Sequence, residues 1–548
     1  MVCSTTCNDA LAPQEWYTTL KHSIMIHFKN ILLATALLAA VLPASAQKHS
    51  ISSLTDTKAT IKAMETIIAK NDRHYVEPII AEICAKKKNN PELCVGAADA
   101  FWYKTGIRDS TNAFKYIKKA IAANKNYVPA YILTAEIWND CQDTLKAIEW
   151  YNKAIQADTL YAKTYRALAK MREKSGNYDE AYRIYKRAKA AIPTFPANLE
   201  IARMYYKTDT YSGYNKAIEH FKIAEVDSME AYDYNNYATL YNLVASQVQD
   251  RGAKVGNYLK MLEISEEGIQ RFPKDFYVLQ AGLVAAVNIH SMLGQSDADK
   301  KREYAEKAEN YGERAIAEGD TLVNDITYRH YGFALKYRHK YDKAIKAFER
   351  VLNSDKAEEA NKNIAMNQIA DSYKELGEYD KAEELFKKNL EKKENNGTMG
   401  FNDYHNMVKF YKEQAEELNG KDKIDVLWKA DALYSRSAEK DLQNANYAYY
   451  NQIVLRHEID QYTNGEDKTR GLALEPARKL YALMLTKGTL EGSNKEFMVQ
   501  ACNYLASYYH FTKKSPKEAK QYWLKMYETD PTNNRAKQAL TKLYKMKL

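Results

Sequence analysis

Through the middle of the chain, small and apolar residues recur at intervals of three, four and seven, the spacing that lines side chains along one face of an α-helix. Ala147 is followed by Tyr151 and Ala154, Ala181 by Tyr185 and Ala188, Ala217 by Phe221 and Ala224, Ala344 by Phe348 and Val351, and Ala382 by Phe386. The small residues let two helix backbones approach, and the aromatic four places on fills the space beside them. Ala113, Ala147 and Ala181 stand 34 residues apart, room for two short helices and their turns. The turn ahead of the stripe recurs too: Gly176-Asn177-Tyr178-Asp179-Glu180-Ala181 returns as His339-Lys340-Tyr341-Asp342-Lys343-Ala344 and as Gly377-Glu378-Tyr379-Asp380-Lys381-Ala382. A two-helix unit cannot bury its apolar face alone, so neighbours must stack and share one continuous core.

This residue pattern resembles the tetratricopeptide repeat family, most completely in the unit at Ala162, with Tyr165, Leu168, Ala169, Gly176, Tyr178, Ala181, Tyr185, Ala188 and Pro193. Regular units begin near Cys94, Val128, Ala162, Pro196, Asp325, Asn363 and Gln500, and less regular ones near Met229, Lys274, Phe401 and Asn444. The resemblance implies an all-α fold: a right-handed α-solenoid of tetratricopeptide helix-turn-helix repeats, about eleven units. It spans residues 94–534, with enlarged hairpins near 229–320 and 401–488, a helical cap over 47–93 before it and a capping helix over 535–548 after it.

At the start of the chain, Lys29 precedes the apolar run Ile31 to Leu42, and Pro43-Ala44-Ser45-Ala46-Gln47 follows. A charged residue, a short apolar run and a small-x-small site together read as a secretory signal peptide over residues 25–46. The run is shorter than the roughly 20 residues that span a bilayer, so cleavage after Ala46 is expected to leave a chain without stable membrane insertion. Residues 1–24 are polar and without repeat character, an upstream extension that the true start at Met25 would exclude. An Ala-Ser-Ala-Gln junction before a Tyr- and Lys-rich repeat chain looks like the exported bacterial repeat proteins of Gram-negative envelopes, which implies the periplasm.

The formal net charge of +9 is spread rather than concentrated, as in Lys381 to Glu394, where both signs interleave. That marks solvated helix faces and argues against a nucleic-acid partner, which calls for a basic stripe. No Gly-rich phosphate loop, Gly-x-Ser-x-Gly elbow, Cys-x-x-Cys pair or His-Glu-x-x-His helix occurs, so the chain is read as a non-enzyme with no cofactor and no metal site. His457-Glu458-Ile459-Asp460 opens like a zinc helix, but Gln461 stands where the second His belongs. Cys84 and Cys94 flank a turn, Lys86-Lys87-Lys88-Asn89-Asn90-Pro91. They read either as a disulfide of an oxidising compartment or as two small core residues.

Members of the resembled family bind partners along the first helix of each pair, at places two, five, nine and twelve of the unit. Carried over, these places hold Lys163, Arg166 and Lys170, then Arg329, Lys336, Asn367 and Asp371, then Tyr504, Tyr508 and Phe511. The family's clamp for a peptide carboxylate is missing from the N-terminal run, where Ala98, Trp102, Leu133 and Ala167 occupy its places beside Lys163. The implied function is a protein–protein interaction scaffold that holds a segment of a partner protein in its groove. A carrier or sensor of a small molecule or glycan is the alternative, since many of the 44 tyrosines, Tyr447, Tyr449 and Tyr450 among them, exceed the repeat code and would serve as stacking platforms.

Overall fold

Turn chemistry sets the period of the structure. In a computed structural model, which describes residues 54–70, 73–104, 108–464, 470–488 and 490–547, Arg108, Gln142 and Gly176 all take left-handed backbone angles, with φ of 49°, 63° and 74°. Each stands one residue ahead of an N-cap: Asp109, Asp143 and Asn177 accept hydrogen bonds from the backbone N–H groups of Asn112 at 3.1 Å, Lys146 at 3.1 Å and Glu180 at 3.3 Å. At Gln142 and Gly176 a left-handed residue ends one helix and the side-chain oxygen after it starts the next, so these two hairpins reverse the same way. His339 and Gly377 repeat the left-handed turn at φ 54° and 77°.

The described residues form 25 α-helices and no strand, in two compact units that divide at Ile264 and Ser265. In the first unit the helices are α1 (Thr57–Lys70), α2 (Arg73–Lys86), α3 (Pro91–Tyr103), α4 (Ser110–Ala123), α5 (Val128–Asp140), α6 (Thr144–Ala157), α7 (Ala162–Lys174), α8 (Tyr178–Ala191), α9 (Ala197–Tyr206), α10 (Tyr211–Phe221) and α11 (Ala231–Gln247). The division falls inside α12 (Arg251–Arg271). The second unit continues with α13 (Phe276–Met292), α14 (Ala298–Gly319), α15 (Asp325–Tyr337), α16 (Tyr341–Leu352), α17 (Glu359–Glu375), α18 (Tyr379–Asn395), α19 (Phe401–Glu416) and α20 (Gly420–Lys440), and closes with α21 (Ala445–Asn464), α22 (Leu474–Leu485), α23 (Ser493–Ser507), α24 (Pro516–Thr529) and α25 (Asn534–Gln538). Within each unit helices pair with their sequence neighbours and each pair leans on the next, the stacking of an α-solenoid. Helices α5 to α8 are 13 or 14 residues long, whereas α11 to α14 run to 17, 21, 17 and 22.

The stripe read from the sequence is the inter-helix seam. Ala147, Tyr151 and Ala154, Ala181, Tyr185 and Ala188, and Ala344, Phe348 and Val351 are all buried. The cores are local: one joins Met64 to Ile137, and in the second unit one surrounds Phe348, another Tyr411 and a third Trp523. Two members of the stripe depart from the expectation. Ala224 lies outside α10, which stops at Phe221 as the chain turns into a short 3-10 segment at Val226–Ser228, and it is only half-buried. Phe386 is also half-buried and faces a cleft. First helices also reach further back than the repeat register suggests, with α17 starting at Glu359 and α23 at Ser493.

Residues 1–46, which carry the expected extension and signal peptide, lie outside the described residues. Among the described residues no helix is long and apolar enough to cross a membrane, and no group of His, Cys, Asp or Glu is placed to hold a metal ion.

Candidate functional site

In the second unit, α15, α17 and α19 are the first helices of three successive pairs. Side chains at intervals of three and four along them reach across to the next pair. Arg329 donates to Asn361, and Lys336 donates to Gln368 at 2.6 Å while lying 3.5 Å from an Asp371 carboxylate oxygen. Lys374 donates to Glu413 at 2.7 Å, and Lys393 of α18 pairs with Asp403. Burial lowers the pKa of Arg329 and of Lys336, in the latter against the pull of Asp371. For Lys374 the desolvation is outweighed by the hydrogen bond and charge of Glu413, and its pKa rises.

These contacts border a cleft of about 390 Å³ between α17, α18 and α19. Asn367, Asp371 and Lys374 form its α17 wall, at the positions i, i+4 and i+7 of one helical stripe. Phe386, Asn389, Leu390 and Lys393 supply the α18 side, and Asp403, Asn406, Lys409, Phe410 and Glu413 the α19 side. Its walls carry three lysines and three carboxylates beside an apolar strip where Phe386 and Phe410 meet at 5.1 Å between centroids. The buried Asn389 donates from Nδ2 to Asn367 at 2.5 Å, and its own Oδ1 has no hydrogen-bond partner among the described residues. A buried acceptor left unpaired costs about 1–3 kcal/mol. Lys409 and Asn406 are exposed at the rim, and Lys409 forms no ion pair among the described residues.

The residues chosen from the sequence thus divide. Lys336 reaches Asp371, Asp371 and Asn367 share the α17 wall of the cleft, and Arg329 is engaged separately by Asn361. In the first unit Arg166 donates from Nε to Glu200 at 2.7 Å, and Glu200 lies 3.6 Å from Arg203, which binds the buried Asp233 through two bonds of 2.7 Å. That chain of charges ties α7, α9 and α11 together, and Lys163 and Lys170 stand exposed near it. Tyr504 and Tyr508 lie in the core: the Tyr504 hydroxyl accepts from the Ala473 N–H at 3.1 Å, and Tyr508 packs against Gly471. Their neighbour Phe511 is 61% exposed. Sequence reasoning passed over Lys374, Asn389, Lys393, Asp403 and Glu413. Extending the Asn367–Asp371 stripe by three residues would have found Lys374, but no pattern announces that second-helix side chains from α18 join the wall.

Residues 323–395, which cover α15 to α18, match a tetratricopeptide repeat family model, and residues 164–197, covering α7 and α8, match another. The chain carries tetratricopeptide repeats over these stretches. No curated protein matches it. Among solved structures it is similar to the C-terminal part of a TPR repeat-containing protein from Cytophaga hutchinsonii, at 16% identity over 55% of this chain and 99% of that one, with a TM-score of 0.37. A thermophilic TPR protein of Thermus thermophilus matches at 16% identity over 38% of this chain and 98% of that one, TM-score 0.25. The human IFIT1 dimer with m7Gppp-AAAA matches at 16% identity over 70% and 81%, TM-score 0.28.

Proposed function

We propose that this protein is a periplasmic interaction scaffold, exported through the signal peptide at residues 25–46, and that the α17–α19 cleft holds an extended segment of a partner protein. Repeats of this kind generally mediate protein–protein contact. The observation that carries the cleft assignment is its lining, an apolar strip of Phe386 and Phe410 flanked by three lysines and three carboxylates. The side chains of an extended segment cover Phe386 and Phe410, and its charges meet lysines and carboxylates at the rim. Lys409 and Asn406 are the positions from which such a segment is reached.

A photo-crosslinker placed at Asn406 or Lys409 in cells should capture a defined protein, and Asn389→Ala combined with Lys374→Ala should abolish that capture while Lys163→Ala with Lys170→Ala leaves it intact. Capture that survives the cleft variants removes the cleft from the reading. Stabilisation of the purified protein by a glycan or small metabolite, with no captured protein, would transfer the assignment to the small-ligand alternative. N-terminal sequencing of protein released from the periplasm should begin at Gln47. An intact start recovered only from the cytoplasm overturns the export reading.

A further inference from the structure

The α2–α3 hairpin is closed by a turn with no slack. Asn89 N–H bonds to Cys84 O at 2.8 Å and Lys88 N–H to Ala85 O at 2.9 Å, the paired bonds of a Schellman ending, with Lys88 and Asn89 both left-handed at φ 54° and 48°. Asn90 then caps α3 by accepting from Glu92 N–H at 2.9 Å and Leu93 N–H at 3.2 Å. The turn therefore fixes where the last turn of α2 faces the first turn of α3. Cys84 stands on one side and Cys94 on the other, both without solvent exposure in the same apolar core. Cys141 is exposed, and Cys502, buried in the second unit, points its sulfur at Met498 at 3.7 Å.

We propose that Cys84 and Cys94 are a redox-active pair that a small disulfide, such as oxidised glutathione, converts into an intramolecular disulfide locking the α2–α3 hairpin. The two sulfurs have different parts. Cys94 sits in the first turn of α3, where the helix dipole favours a thiolate, and the neighbouring Cys84 thiol, with help from the charge of Lys119, holds the Cys94 thiol below its usual range despite burial. The neighbouring Cys94, together with burial, pushes the Cys84 thiol up. Cys94 is then the attacking sulfur and Cys84 the resolving one. Cys94 Sγ bonds to one sulfur of the donor disulfide and expels the other as a thiol carrying the Cys94 proton. Cys84 Sγ next displaces the bound half, which leaves as a second thiol carrying the Cys84 proton. One disulfide is consumed and one formed, two thiols are oxidised and two released. Because both sulfurs are sealed from water, exchange runs through opening of the hairpin and lags behind reaction at Cys141.

Trypsin separates the two cysteines, since Lys86, Lys87 and Lys88 lie between them. The full chain should be incubated with oxidised glutathione, its free thiols alkylated, and the digest mapped by mass spectrometry. Expected is a peptide of residues 74–86 joined to one of residues 89–104, two hydrogens lighter than the separate peptides, absent after reductant, and formed more slowly than the glutathione adduct of Cys141. Alkylation of both cysteines, separate adducts on each, or linkage of either to another cysteine would overturn the proposal. Cys84→Ser should trap glutathione on Cys94, whereas Cys94→Ser should leave Cys84 free. Equal trapping in both variants removes the assigned roles, and the wild-type map stands as a test if either variant fails to fold.

Discussion

Replacing Gly332 by Ala tests the repeat packing code at its tightest point. Gly332 lies on α15 where it meets the Phe348 ring of α16, and an added Cβ would come within 2.7–2.8 Å of three ring atoms. The ring has no solvent exposure and its face is held by Phe333, edge to face at 5.4 Å, so it cannot swing aside without moving a second aromatic. Two effects oppose each other. Ala is a better helix former than Gly by about 1 kcal/mol, while overpacking a filled core costs about 1–3 kcal/mol. With the ring locked the second should win, giving a net loss of roughly 1 kcal/mol. Repeat proteins unfold unit by unit, so hydrogen exchange at the α15 and α16 amides, which reads local opening, suits the question better than a global melt. Those amides should exchange several-fold faster in Gly332→Ala. In a Phe348→Leu background the obstruction is gone, and the same substitution should slow exchange instead. A change of the same sign in both backgrounds would refute the idea that the small residue is there for the ring.

His339 occupies the left-handed turn position that Gly176 and Gly377 fill elsewhere. A non-glycine residue pays about 1–2 kcal/mol there, partly offset by the greater freedom of glycine in the unfolded chain. His339→Gly should therefore stabilise by roughly 0.5–1 kcal/mol and Gly176→Ala destabilise by a similar amount, as read by denaturant midpoints. Asp431 is buried and gripped through two bonds of 2.8 Å by Arg456, which links α20 to α21. Asp431→Ala should cost about 3–5 kcal/mol, because it strands the guanidinium, and exchange confined to those helices should show it. His330 is buried with Nδ1 bonded to Ile326 O at 2.7 Å, and burial holds its pKa down to about 4 from 6.5. Its folded pKa is depressed, so its stabilisation is complete above 6.5, is lost as pH falls and levels off below about 4, a span of roughly 3 kcal/mol. His330→Gln should flatten the stability profile by up to one proton in that window, and an unchanged slope would mean that His330 titrates normally.

Much of the architecture was legible because it is local. A helix stripe needs only the chain's own 3.6-residue period, and a turn needs only the residues inside it. So the run from Ala181 through Tyr185 to Ala188 announced a seam, and the recurring motif at Gly176 and Gly377 announced the reversal between helices. Stripe position alone could not say what a residue meets. Arg166 and Arg329 sit at groove places yet are engaged by Glu200 and Asn361, while Tyr504 and Tyr508 turn inward to fill the last core.

By itself, the sequence determined that this chain is a series of short helix hairpins with shared cores, because backbone propensity, capping and periodicity act within about one repeat. Only the tertiary structure decided which charges pair across helices and that Phe386, at the edge of a core, also borders a cleft. It also decided that Asn389 keeps an unpaired acceptor there, and that Cys84 and Cys94 share one core. Each of those depends on how far one hairpin leans on the next. That lean is set by the summed packing of many side chains, and no single motif encodes it.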